Sequence, residues 1–426
     1  MRSEESFADR NYFADYSLLP DPYSFFEAIR TKGPVATFGD PPVVFVTGYE
    51  EAVTILTDPE RFSSLNAAFG PLSILPFTPS GADITEQIQT SRDPNDPLSL
   101  LVTYDGEQHV NLRSILVKLF TPTRLKANEE FMERYCAQAV SEAVAAGGCE
   151  IRAQIAVPYV TYVIADLLGV PEEDRVRFTD VIHENGPAGA LDNSDGQKSG
   201  AALRYMFDFF MHYLTDRRGN PRDDAMSELA TARYPDGSTP PILEIVKAAI
   251  FLFAAGQDTS ALLLGNAILY LAEHPDVQDK IRRAPSLLPD FVEEMMRYQG
   301  SLKMTSRVAQ KTTKIGDFEI PAGAQIAVVL AAANRDPRRW ENPSAVQFDR
   351  PKIKQQLGFS RGPHTCLGAP LARVEVGVML EQFLKQTSRI SLDEEKHGPP
   401  GARQFAYQPS FMNRGLAELH VKLAPR

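Results

Sequence analysis

The sequence predicts a mainly α-helical protein with small peripheral β-sheets, folded as a single domain over residues 1–426. Three observations predict it. Apolar residues recur every three to four positions through most of the chain. Strand-like runs are short and lie towards the ends. No repeat and no linker divides the chain into compositional halves.

In chain order, the first 15 residues or so are charged, lack an apolar run, and are expected to be flexible. Val43–Thr47, between Pro42 and Gly48, reads as a strand, and Tyr49–Leu56 as a short helix. Residues 66–104 form a long Pro-rich loop that also carries Phe69, Leu72, Ile74, Leu75 and Phe77. Disordered segments are poor in such residues, so this loop is expected to wall a pocket. Helices follow at 107–119, 124–145 and 156–168. Residues 185–200 have the composition of a flexible connection. Pro240–Glu273 is the longest helical candidate, spanning roughly 50 Å at 1.5 Å per residue. Asp290–Tyr298 is helical and stops at Gly300. Thr312–Ile315, Phe318–Ile320 and Gln325–Leu330 read as strands, and Ala369–Gln386 returns to helix.

Composition excludes several classes. A net charge of −11 argues against a nucleic-acid binder. Three cysteines, Cys136, Cys149 and Cys366, are a poor disulfide framework and suit a reducing, cytoplasmic setting. The apolar run from Ile242 to Ala272 is interrupted by Glu244, Lys247, Gln257 and Asp258, which predicts a buried helix rather than a membrane anchor. No clustered His/Cys spacing suggests zinc.

The strongest chemical signal is Phe359-Ser360-Arg361-Gly362-Pro363-His364-Thr365-Cys366-Leu367-Gly368, running into a helix at Ala369. A cysteine before a helix start faces unpaired N–H groups and the positive dipole end, which favour thiolate. Gly362 and Gly368 permit a tight loop. These residues resemble the haem-binding signature of the cytochromes P450, with Ser360 where Gly is commoner. The resemblance implies that Cys366 is the axial ligand of haem b (iron protoporphyrin IX), and that Phe359, His364 and Gly368 line its site. The haem is then held between the long central helix and the cysteine-loop helix.

Ala255-Gly256-Gln257-Asp258-Thr259-Ser260 breaks the apolar run of the central helix. Buried polar groups and a helical Gly are both costly, which points to a purpose. A bland reading is a kink, with Thr259 bonding back to a carbonyl. The stretch is similar to the family's oxygen-binding segment. By that resemblance Gly256 leaves room for dioxygen, and Asp258 and Thr259 form the acid–alcohol pair that relays protons, with the carboxylate reaching bulk solvent.

Glu294 and Arg297 share a helix face and are, alone, an ordinary surface pair. In the family pattern they form a buried ion-paired core with a later arginine, here Arg350. His109 and Arg113, at i and i+4, together with Arg307 and His364, match propionate-binding positions.

No acid lies between Glu107 and Glu129, or between Asp349 and Glu375, although both windows hold cations. The resemblance places these segments on the cysteine side of the haem. Lys118, Lys126, Lys352 and Lys354 are expected to dock an iron–sulfur ferredoxin served by a separate NAD(P)H-dependent reductase, since no flavin or dinucleotide fingerprint is present. Family pockets are lined at positions that here hold Phe69, Leu72, Ile74, Phe77, Phe251, Leu252, Ala255, Leu302, Met304, Phe411 and Met412. They predict a hydrophobic substrate of terpenoid, steroid or aromatic type. The implied activity is insertion of one oxygen atom from dioxygen. A peroxide-driven peroxygenase and a non-catalytic haem sensor or carrier are the alternatives, and Asp258-Thr259 argues against both.

Overall fold

A computed structural model describes residues 10–93, 100–185 and 196–426. Helices build one large layered body, and the strands sit at its margin. The central helix, Ile242–Glu273, begins after Pro241 and runs through the core. It packs on helices Val157–Leu167, Gly196–Gly219, Leu288–Gln299 and Ala369–Gln386. Among the described residues it is the one helix long and apolar enough to cross a membrane, but its most apolar stretch is 61% buried. Burial of Ile245, Phe253, Leu264 and Leu271 against neighbouring helices accounts for that composition.

The main sheet has five strands in the order Val35–Phe38, Val43–Val46, Gln325–Val328, Thr305–Ala309, Phe62–Ser63. Val43–Val46 runs parallel to Gln325–Val328, with Val44 opposite Ile326; the other pairs are antiparallel. A three-stranded sheet joins Gly148–Glu150, His420–Pro425 and Thr387–Leu392. A hairpin pairs Thr313–Ile315 with Phe318–Ile320 around Gly316, whose φ of 57° suits glycine.

Several expectations shift. The helix expected over 107–119 is Gly106–Leu116 followed by a 3₁₀ turn at Val117–Phe120. Before Val157 the chain makes one π turn, Arg152–Ala156. The loop 66–104 contains a helix, Thr85–Thr90, while residues 94–99 lie outside the described set. Within the predicted 185–200 connection, Gly196 onward is already helix and residues 186–195 are outside the described set. Residues 1–9 are likewise outside it. The rest of the expected flexible N-terminus is anchored: Tyr12 is buried, and its hydroxyl donates to the Phe411 carbonyl at 3.0 Å.

Candidate functional site

The cysteine loop and the central helix face one another across an internal cavity. On the central helix, Phe251, Leu252, Ala255, Gly256, Thr259, Ser260 and Leu263 recur at helical spacing and form one wall. Opposite them lie Phe359, His364, Cys366, Gly368 and, further along the cysteine-loop helix, Glu375.

The loop owes its shape to two residues. Gly362 has φ 73°, and a Cβ there would meet the Leu56 carbonyl oxygen at 2.4 Å, so only glycine fits. Ser360 adopts φ 60°, a conformation that favours glycine, and its Oγ is buried without a protein partner. The Cys366 N–H donates to the Phe359 carbonyl at 2.8 Å and closes the loop. Gly368 has an ordinary φ of −80°, and a Cβ there would make only ordinary contacts, 4.0 Å from the Cys366 Sγ and from Phe120. The thiol is pushed up by burial, against the lowering influence of the Gly368 N–H, Arg113, Arg373 and the Ala369 N–H. The helix-start argument alone predicted net thiolate. In the protein, desolvation outweighs the dipole, and a bound cation is needed to hold the sulfur as thiolate. Arg373 lies 4.5 Å over the Phe359 ring and pairs with Glu293.

Four cationic or imidazole side chains line the same cavity: His109, Arg113, Arg307 and His364. Arg113 donates to the Thr365 carbonyl at 2.7 Å. Arg307 is 3% exposed, and burial lowers it to about 10. The His109 and His364 rings lie 4.1 Å apart, and the Nε2 atom of each is buried with no hydrogen-bond partner. Burial, then neighbouring arginines, lowers His109 to about 4; burial, then Arg307, lowers His364 to about 2. A buried guanidinium, a half-buried one and two imidazoles whose Nε2 atoms make no hydrogen bond, with Asp105 4.0 Å from His364 Nε2, make a site suited to anionic carboxylates.

Glu294, Arg297 and Arg350 stand apart from the cavity as a closed ion cluster. Arg297 Nε and Arg350 Nε each lie 2.8 Å from a Glu294 oxygen, and all three side chains are essentially inaccessible. The two guanidiniums also donate to carbonyls of Asn334, Glu341, Pro343 and Ala345, pinning the irregular segment that leads to the cysteine loop.

A model of the family described as cytochrome P450 matches residues 187–284 and 286–409. The chain belongs to the cytochrome P450 family. Among solved structures, the Mycobacterium marinum cytochrome P450 CYP150A6 in its substrate-free form is 43% identical, with a TM-score of 0.92 over 99% of this chain and 100% of that one. The Bacillus megaterium CYP109E1 complex with testosterone is 26% identical, with a TM-score of 0.78, covering 95% and 99%. The 6-deoxyerythronolide B hydroxylase of Saccharopolyspora erythraea is 29% identical over 95% of this chain and 96% of the hydroxylase. This P450 is a haem-binding monooxygenase. The His109 and His364 Nε2 atoms without hydrogen bonds, the half-buried Arg113, the buried Arg307, and a sulfur opening into the same cavity fit a porphyrin with two carboxylates.

The P450 cavity departs from the expected lining in three ways. Asp258 does not line it. One residue before Thr259, it projects towards the π turn, is 3% exposed, and pairs with Arg152 at 2.9 Å rather than reaching solvent. Gly256 does line it, but Ile164 packs so closely on it that a Cβ there would meet Ile164 Cδ1 at 2.8 Å. Thr259 lines it while donating its proton to the Ala255 carbonyl at 2.9 Å, which leaves its oxygen as an acceptor.

Seven apolar residues of the expected pocket lie elsewhere. Met304, just before the strand Thr305–Ala309, is fully buried on the side away from the cavity, since Thr305 and Arg307 take the cavity side. Phe411 and Met412 pack in the N-terminal cluster, with Phe411 5.6 Å from Tyr12. Phe77 packs against Ile84, Ile88 and Val308. Phe69, Leu72 and Ile74 are exposed, Ile74 at 97%. Asn66 explains this: its side chain donates to Gln325 at 2.9 Å and its carbonyl accepts from Ser306, so the start of the loop is tied to the sheet, and between Asn66 and Phe77 only Ala67 reaches the cavity. Sequence reasoning missed Leu101, Phe120, Ile164, Ser260, Leu263 and Glu375, all on the wall. Three of them had a signal in the sequence: Ser260 ends the polar break of the central helix, Leu263 continues its helical spacing, and Glu375 is an acid set between Val374 and Val376.

Proposed function

We propose that this P450 hydroxylates or epoxidises a bulky, mainly apolar molecule of terpenoid, steroid or aromatic type, using electrons from a separate iron–sulfur ferredoxin in the cytoplasm. The observation that carries the substrate class is the apolar wall formed by Leu101, Val102, Phe251, Leu252, Leu263 and Leu302. Two relatives support it: one is named as a hydroxylase of 6-deoxyerythronolide B, and another is in complex with testosterone.

In this reading Cys366 holds the iron, and His109, Arg113, Arg307 and His364 hold the propionates. When bound, the haem activates dioxygen, and the thiolate favours O–O cleavage. The Thr259 oxygen accepts a hydrogen bond from water in the cavity, and Asp258 stands behind it in its ion pair with Arg152. Leu252 and Leu263 exclude bulk water from the reacting side. The hydroxyl on the wall favours dioxygen chemistry over a peroxide-driven enzyme or a passive carrier.

A ligand screen by the low- to high-spin shift of the haem absorption band tests the substrate class. Steroids, terpenoids and fused aromatics are expected to shift it at micromolar concentrations. A response confined to small charged molecules would overturn the reading.

Donor docking adds a second expectation. Lys118, Lys352 and Lys354 are exposed and make no ion pair among the described residues, whereas Lys126 pairs with Glu129 at 3.1 Å. Lys118 lies in the turn that delivers Phe120 beside Gly368. Changing Lys118, Lys352 and Lys354 together to Ala is expected to slow reduction by ferredoxin about tenfold at low ionic strength and to flatten its salt dependence. Stopped-flow reduction at two salt concentrations measures this. Unchanged rates would move the docking face elsewhere.

A further inference from the structure

The cysteine-loop helix, Ala369–Gln386, serves two sides. Leu371, Ala372 and Glu375 face the cavity. Arg373, Val374 and Val378 instead line a separate groove of about 940 Å3, together with Glu293 and Lys354. Arg373 connects the two sides without lining the cavity itself. Its guanidinium lies 4.5 Å over the Phe359 ring. Phe359 does line the cavity, and its carbonyl accepts the Cys366 N–H at 2.8 Å. The same guanidinium pairs with Glu293 and donates to the Ala369 carbonyl at 3.2 Å, where the helix starts.

The two partners are held differently. The Glu293 side chain is 6% exposed and that of Arg373 36%. Glu293 also accepts from the Gln356 amide at 3.2 Å, and Gln356 in turn accepts the Gly358 N–H. The carboxylate is therefore fixed from inside, while the guanidinium sits between it, an aromatic face and solvent. Burial pushes the Cys366 thiol up, and the Gly368 N–H, Arg113 and Arg373 work against it. Of these two arginines, Arg113 makes no ion pair among the described residues, whereas Arg373 has an acid beside it. What reaches the sulfur from the groove side is thus the balance of one cation and one anion. A positive charge near an electron-accepting site stabilises the added electron, and a negative charge opposes it.

We propose that the Arg373–Glu293 pair sets the electron affinity of the Cys366 site from the groove side, with Arg373 a positioning residue that acts through Phe359. Arg373 raises that affinity by its charge and steadies the Phe359 ring. Glu293 lowers it by partly neutralising the guanidinium. This rests on reading Cys366 as the haem ligand.

The test is the reduction potential of the haem-loaded protein, measured by spectroelectrochemistry. The variants are Arg373→Gln, Arg373→Lys, Glu293→Gln and the double variant carrying both Gln substitutions. Arg373→Gln should lower the equilibrium constant for one-electron reduction about fivefold, or about 40 mV at roughly 59 mV per tenfold. Glu293→Gln should raise it by a similar factor. Arg373→Lys should stay within about twofold of the parent, and the double variant should return close to it. Added salt should shrink both single shifts, because Arg373 is partly exposed. A merely structural role would move the two single Gln variants the same way, since each breaks the same ion pair. Shifts of one sign, or unmoved potentials, overturn the proposal. If Glu293→Gln binds no haem, Arg373→Lys decides: a potential like that of Arg373→Gln overturns the proposal, and one like that of the parent sustains it. A parent without a thiolate-ligated carbon monoxide band overturns the reading beneath it.

Discussion

Cys366→Ser is expected to abolish monooxygenation while leaving the fold in place. The side chain is one sulfur atom in a loop closed by backbone bonds, so its replacement by oxygen disturbs little packing. No other thiol substitutes for it. Cys136 is fully buried, and burial pushes Cys149, like Cys136, up to about 12, leaving neither available as thiolate. Neither lines the cavity. Loss of the thiolate removes the electron donation that favours O–O cleavage, so product should fall below detection. The reduced carbon monoxide difference spectrum should lose its thiolate-ligated band, while circular dichroism stays near that of the parent. A variant that keeps the thiolate spectrum would place the ligand on another residue.

Glu294→Ala is expected to have the largest effect on stability. Its removal strands Arg297 and Arg350, two guanidiniums with 0% and 2% side-chain exposure. Breaking a buried pair from one side costs about 3–5 kcal/mol, a large part of the stability of an ordinary domain. The damage should spread, because Arg297 and Arg350 hold carbonyls between Asn334 and Ala345 on the approach to the cysteine loop. A lower urea midpoint and a smaller haem content should therefore appear together. Added salt should not reproduce the loss in the parent, since buried charges are weakly screened. A midpoint within about 0.5 kcal/mol of the parent, the range usual for surface substitutions, would remove the structural role.

The parts of this protein that could be read from its sequence are those in which neighbours in the chain are neighbours in space. The cysteine loop is one short segment, and the cavity stripe of the central helix follows from helical spacing through Leu252, Ala255, Thr259 and Leu263. The ion cluster was readable only through the family resemblance: the i, i+3 spacing put Glu294 and Arg297 on one helix face, but by itself it reads as a surface pair, and Arg350 lies 56 residues from Glu294. Long-range choices were not. Nothing in the run from Phe69 to Phe77 indicates that Asn66 is tied to Gln325, which sends the aromatic part of the loop outward. Nothing near Asp258 announces Arg152, since the π turn that presents it belongs to another helix. Met304 shows a different failure: it immediately precedes the strand Thr305–Ala309, and the face it takes was set by the registry of Thr305 with Val328.

The parallel pairing of Val44 with Ile326 has a consequence for biosynthesis. The first strands emerge from the ribosome long before the partner that completes their sheet, and the residues proposed to hold the cofactor's carboxylates extend from His109 to His364. Pairings this distant in sequence are slow to form. Pigment acquisition is therefore a late event that follows release of nearly the whole polypeptide. Nascent chains stalled before Gln325 should be colourless and should expose apolar strands for chaperones to shield.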